Sequence, residues 1–148
     1  MQIRGHPVVG IVSVKDGDKA RRAFLEMMDS VGERWLQLFD RDPELYSAAY
    51  WDLFTRMWAA GEPIRKTEAL AAMKGVKSAH TAGKYLDAAI RQGFIRETSN
   101  PSDARSKLVQ ITPWMQARLD EFFDEAVMDI KRTARHINER SPCHKARR

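Results

Sequence analysis

The chain contains one cysteine, Cys143, in 148 residues. It cannot form an internal disulfide, and no second thiol is available to complete a cysteine metal site. It stands in the basic stretch SPCHKARR, where it reads either as an incidental tail thiol or as a redox-responsive one. Histidine is also sparse. His6, His80, His136 and His144 are scattered, and the two that flank Cys143 lack ligand spacing, so no metal site is expected. No HExxH, phosphate-loop or Gly-x-Ser-x-Gly pattern occurs, and the acidic run DEFFDEAVMD reads as the solvated face of a helix. Neither catalysis nor a cofactor is expected. Long apolar runs are missing too. The longest early one, VVGIVSV at 8–14, is interrupted by Gly10 and fits neither a signal segment nor a membrane span. A cytoplasmic protein is expected, with no membrane association.

What remains is ordinary globular composition, 43% hydrophobic and 30% charged, in a chain of single-domain length. Net charge is +5, unevenly distributed. Residues 61–112 carry 9 basic and 5 acidic groups, and 131–148 carry 7 and 1, whereas 113–130 carry 1 and 5. Positive charge gathered in one middle segment and in the tail suits a polyanion-binding surface. For the tail alone, a solvated basic end is the plainer reading.

Periodicity makes the chain mostly helical. Residues 19–41 place Phe24, Met27, Met28, Val31, Trp35 and Leu38 at helical spacing, with Asp18 as an N-cap. Asp42-Pro43 signals a second start, and the helix that follows runs to Gly61 with apolar residues on more than one face, so it should be the most buried. A brief extended piece at 63–65 then leads to a short helix, KTEALAAMK, ended by Gly75. Ser78 caps another helix that stops at Gly93. Two short helices joined by a Gly-containing turn outline a helix-turn-helix. FIRETS and SKLVQIT follow as a β-hairpin with a loop of about five to seven residues. Thr112-Pro113 opens a last helix reaching about Glu139, with Met115, Leu119, Phe122, Phe123, Ala126, Ile130 and Ala134 in register. About 27 residues at 1.5 Å rise span about 40 Å. That is longer than a compact monomer of this size covers, so part of this stripe and of the first helix's should be buried on a second copy in a symmetric dimer.

The fold class is therefore mostly α with a small β-hairpin wing, a winged helix-turn-helix framed by N- and C-terminal dimerisation helices. The expected division of this single domain is helical dimerisation parts at 19–60 and 113–139, the winged helix-turn-helix at 61–112, and a basic, flexible tail at 140–148. On the helix that follows Ser78, Ala82, Leu86, Ala89 and Ile90 share the core side, and His80, Thr81, Lys84, Ala88 and Arg91 project away. A polar, basic, short-chained face suits entry into a major groove. Lys77 and Ser78 stand where unpaired amides favour phosphate, and Lys66 and Thr67 can hold the backbone across the groove. The hairpin can reach an adjacent minor groove, with Arg105 as the reader and Lys107 as a second basic contact. Asp103 cannot favour phosphate. It either caps the turn or pairs with Arg91, Arg96 or Arg105.

With those residues in place, GVKSAHTAGKYLDAAIRQGFIRETSNPSDARSKLVQITP resembles the helix-turn-helix, wing and exit strand of the MarR family of winged-helix transcriptional regulators. The most specific match is aspartate-x-arginine followed by a β-run ending in Ile-Thr, here Asp103, Arg105 and VQIT, together with the spacing from Leu86 to Gly93-Phe94-Ile95. The resemblance covers 62–113. Over 19–61 and 114–139 only helix order and length agree, and residues 1–17 have no counterpart. Departures are Gly83 inside the recognition helix, Trp114-Met115 where a glycine is usual, and one extra residue at VKS. The resemblance implies a homodimer with intertwined end helices on a pseudo-palindromic operator. It also implies base or backbone contacts from Ser78, His80, Thr81 and Lys84, and a minor-groove contact from Arg105. It further implies a small aromatic effector in a crevice beside the dimerisation helices. Tyr50, Trp51, Phe54, Trp58 and Trp114 are candidates to line it, though an aromatic stripe at helical spacing also serves as core. The competing reading is a winged-helix protein-interaction module without sequence-specific DNA binding.

Overall fold

The computed structural model describes residues 14–139. Expectations for 1–13 and 140–148, among them the basic tail and Cys143, lie outside the described residues. The elements in chain order are α1 (Val14–Leu38), a 3-10 turn (Pro43–Leu45), α2 (Ala48–Ala60), β1 (Ile64–Arg65), α3 (Lys66–Ala72), α4 (Ala79–Arg91), β2 (Ile95–Asn100), β3 (Asp103–Ile111) and α5 (Pro113–Glu139). The fold is mostly helical with one three-stranded antiparallel sheet in the order β1-β3-β2. No helix among the described residues is long and apolar enough to cross a membrane.

Several boundaries follow local chemistry. Ser78 caps α4 by accepting the Thr81 N–H at 3.1 Å. Gly93 takes the left-handed conformation (φ +77°) that releases the chain from α4 into β2. Thr112 precedes Pro113, the first residue of α5. Its hydroxyl donates to the Gly93 carbonyl at 2.8 Å, and its amide donates to the Phe94 carbonyl at 3.0 Å.

Other boundaries move. Asp18 is not an N-cap: α1 already includes Val14, and the Asp18 carboxylate pairs with Arg21 one turn later at 2.8 Å. α1 ends at Leu38 rather than Arg41, because Asp40 and Arg41 both take left-handed conformations (φ 53° and 63°) that an α-helix cannot continue. Asp42-Pro43 opens only the 3-10 turn. The Leu45 carbonyl accepts the Trp35 indole N–H at 3.2 Å, and the α-helix restarts at Ser47, whose hydroxyl accepts the Tyr50 N–H. α3 stops at Ala72, and the Lys74 amide bonds the Asp52 carboxylate at 3.1 Å instead of extending the helix. The hairpin loop is two residues, Pro101-Ser102, not five to seven. Asn100 pairs directly with Asp103 after a register shift, and both side chains bond the turn: Asn100 Oδ1 accepts the Ser102 N–H and Asp103 Oδ1 accepts the Arg105 N–H, each at 3.0 Å. These side-chain bonds carry the strands farther toward the tip than β-propensity alone suggests.

Packing divides the chain into two units. The boundaries fall inside α1 and α5, at Gly32/Glu33 and Glu125/Ala126. Residues 33–125 hold the apolar core. Trp35 sits at its centre, edge-on to Phe39, Trp51 and Phe122 with ring centroids 5.0–5.3 Å apart. α2 buries Ala49, Tyr50, Leu53, Phe54 and Met57, more than any other helix among the described residues. Its Trp51 and Trp58 remain partly exposed. The second unit joins the described residues up to Gly32 with those from Ala126 to Glu139. There Asp129 is buried, but Phe24, Leu25, Met28, Val127, Met128 and Ile130 are 46–59% exposed. The expected apolar stripes of α1 and α5 are thus covered at Trp35, Leu38, Met115, Leu119 and Phe122, and uncovered in the middle of α1 and in the second half of α5.

Candidate nucleic-acid interface

α4 presents two chemically distinct faces. Ala82, Leu86 and Ala89 are buried and Ile90 is half-buried, whereas His80, Thr81, Lys84 and Arg91 are exposed. Ala88 is half-buried rather than fully projecting. The helix interior is pinned from behind, since the Tyr50 hydroxyl on α2 donates to the Tyr85 carbonyl at 3.0 Å. Burial raises the Tyr50 phenol to about 12, so it stays a donor at neutral pH. Gly83 faces open space: a Cβ there would meet nothing within 4 Å.

At the start of α4, two of the polar residues are engaged with each other. The Ser78 hydroxyl accepts the Thr81 amide and lies 2.9 Å from the Thr81 hydroxyl. Their lone pairs and protons are therefore shared between the cap and any ligand, while Lys77, His80 and Lys84 are exposed beside them. Thr67, Lys77 and Ser78 come together in the wall of an open cavity of about 340 Å³ between α3 and α4. Lys66, at the head of α3, is not free. It forms a 2.9 Å ion pair with Glu97 of β2.

The hairpin carries the remaining basic residues. Arg105 and Lys107 are exposed on β3. Arg105 is held at the backbone by Asp103, so Asp103 acts on the turn in the manner of an Asx motif. Arg96 donates to the Gln110 side chain across the β2–β3 pair at 2.9 Å. Ser106 accepts from Asn100 Nδ2 at 2.8 Å, cross-bracing the tip.

Each of the five aromatics proposed to line a ligand crevice has packing partners. Tyr50 and Phe54 are sealed in the core, with Tyr50 stacked on Phe54. Trp51 packs edge-on to Trp35. Trp58 donates its indole N–H to Asp120 at 2.7 Å and packs on Phe123. Trp114 stacks on Phe94 and under the Arg118 guanidinium, 4.8 Å from its ring centre. A separate cavity of about 300 Å³ lies between Arg34, Leu38, Arg118 and Phe122. Its two arginines are already occupied, Arg34 by Glu125 at 3.0 Å and Arg118 by the Leu38 carbonyl and Asp40.

Sequence reasoning missed Glu97 and Asp52, and it named Tyr50 for a ligand crevice rather than for the support of α4. Glu97 could have been found only from the pairing register that sets it opposite Val109. The other two are α2 residues that bond backbone groups of the helix-turn-helix, contacts that carry no local pattern.

No family model matches the chain. No curated protein matches it either. Solved structures do. RV1404 from Mycobacterium tuberculosis aligns over 92% of this chain and 87% of its own at 17% identity, with a TM-score of 0.63. Transcriptional regulator Tm0710 from Thermotoga maritima covers 81% of both chains at 18% identity, with a TM-score of 0.57. A mutant of E. coli MarR complexed with operator DNA covers 85% of this chain and 81% of its own at 16% identity, with a TM-score of 0.51. At such identities the likeness is one of fold: this chain has the winged-helix fold of MarR-type transcription regulators.

Proposed function

We propose that the protein is a cytoplasmic, homodimeric transcription regulator that binds double-stranded DNA sequence-specifically, with α4 in the major groove and the β2–β3 hairpin in the flanking minor groove. One observation carries the reading. The exposed face of α4, formed by His80, Thr81, Lys84, Asp87 and Arg91, is polar and carries two basic residues to one acidic, on a helix that the core grips from its opposite side. The wing supports it, because Arg105 and Lys107 extend exposed positive charge along β3. The operator-bound E. coli protein of the same fold supports it by analogy.

Support for dimerisation comes from the exposed apolar residues Phe24, Leu25 and Met28 in the middle of α1 and Val127, Met128 and Ile130 in the second half of α5. A symmetric pair would cover this surface, and two α4 helices would then meet a pseudo-palindrome with half-sites about one turn apart. In this reading Tyr50, Trp51, Phe54, Trp58 and Trp114 serve packing rather than an effector.

The test is a selection from random duplex DNA followed by titration at two salt concentrations. A regulator enriches a two-fold-related site and binds it steeply less tightly as salt rises. A winged-helix interaction module enriches nothing, and that outcome overturns the proposal.

A further inference from the structure

Lys66 and Glu97 lie 31 residues apart in sequence and meet in a 2.9 Å ion pair, with side chains 33% and 29% exposed. The sheet register explains how. Ile64 of β1 and Glu97 of β2 both pair with Val109 of the central strand, so all three point to the same face of the sheet. Ile64 and Val109 are buried there. Glu97 continues that inner face beyond the apolar core, where the head of α3 begins. Its carboxylate therefore meets the first residue of α3 instead of projecting from the outer face with Thr98.

The position matters because the first helix of a helix-turn-helix crosses the phosphate backbone. An ammonium at Lys66 would ordinarily be one of the phosphate contacts. Here a carboxylate already holds it. Of the two acidic residues on β2 and β3, Asp103 is engaged by its own turn, while Glu97 pairs with Lys66.

Resting on the DNA-binding reading above, we propose that Glu97 is a positioning residue that holds Lys66 against the wing base. It withholds that charge from the phosphate backbone and so limits binding to duplex lacking the target site. Non-specific affinity is almost wholly counterion release, so one withheld lysine is readable as a missing unit of salt dependence.

The experiment measures affinity for a mixed-sequence duplex between 50 and 200 mM salt, using the full chain and the variants Glu97→Gln, Lys66→Gln and the double substitution. Glu97→Gln should steepen the slope of log K against log salt by about 0.9, which gives about 3.5-fold extra affinity at 50 mM relative to 200 mM. Lys66→Gln should leave the wild-type slope unchanged, and the double variant should return to it. An unchanged slope in Glu97→Gln overturns the proposal. So does a steep slope retained in the double variant, which would assign the effect to the Glu97 charge itself, or a flattened slope in Lys66→Gln alone. In each of these cases duplex binding survives. A wild-type protein that binds no duplex at either salt overturns the DNA-binding reading and this proposal together.

Discussion

The phenol of Tyr50 donates to the backbone carbonyl of Tyr85, 3.0 Å away, and so joins α2 to the middle of α4. Tyr50→Phe should cost about 0.5–1.5 kcal/mol of unfolding free energy at neutral pH by urea titration. The pH dependence has a definite sign. Burial raises the folded-state phenol to about 12 from an ordinary value near 10, so its contribution is complete below pH 10 and is lost as pH rises toward 12. Wild-type stability should fall across that window more steeply than that of the variant. Parallel profiles would remove Tyr50 as the cause.

Gly83 should be a stability reserve. It lies inside α4, and a Cβ there would meet open space. Gly83→Ala is expected to raise unfolding free energy by about 0.5–1 kcal/mol, visible as an upward shift of the melting transition. If α4 packs closely against DNA, duplex affinity should not rise with stability, which titration of the same variant measures.

Arg105→Ala should weaken binding to a selected site by about 1–3 kcal/mol. Lys84→Ala should also weaken it while leaving the oligomeric state intact, because Lys84 is exposed on the face opposite Leu86. Unchanged affinity for Arg105→Ala in a duplex titration would exclude the wing from the interface.

Ile130 is 54% exposed in the second half of α5, among other uncovered apolar residues. Ile130→Glu should weaken self-association by roughly tenfold or more, since a dimer interface would have to desolvate the carboxylate. Sedimentation equilibrium reads the result. A variant that associates as tightly as wild type would place the interface elsewhere.

Legibility in the sequence followed the range of the interactions. Ser78, Gly93 and Thr112-Pro113 mark their boundaries because a cap or a left-handed glycine acts within a few residues. The Asp42-Pro43 signal was genuine but stopped after one turn, because Trp35, from a different helix, takes the Leu45 carbonyl. The hairpin tip was misread in length because Asn100 and Asp103 close it with side chains, whereas strand propensity counts residues by their backbone preference. In the candidate interface, the exposed face of α4 could be read from helical periodicity. The occupancy of Lys66 could not, since it depends on a strand register that brings Glu97 from 31 residues away.

Thr112 joins three elements at a single residue. Its amide and hydroxyl bond the Phe94 and Gly93 carbonyls just past α4, and α5 begins at the next residue. The joint has almost no slack. A rotation of α5 about its own axis would be delivered as torque to the end of α4, through a linkage too short to absorb it.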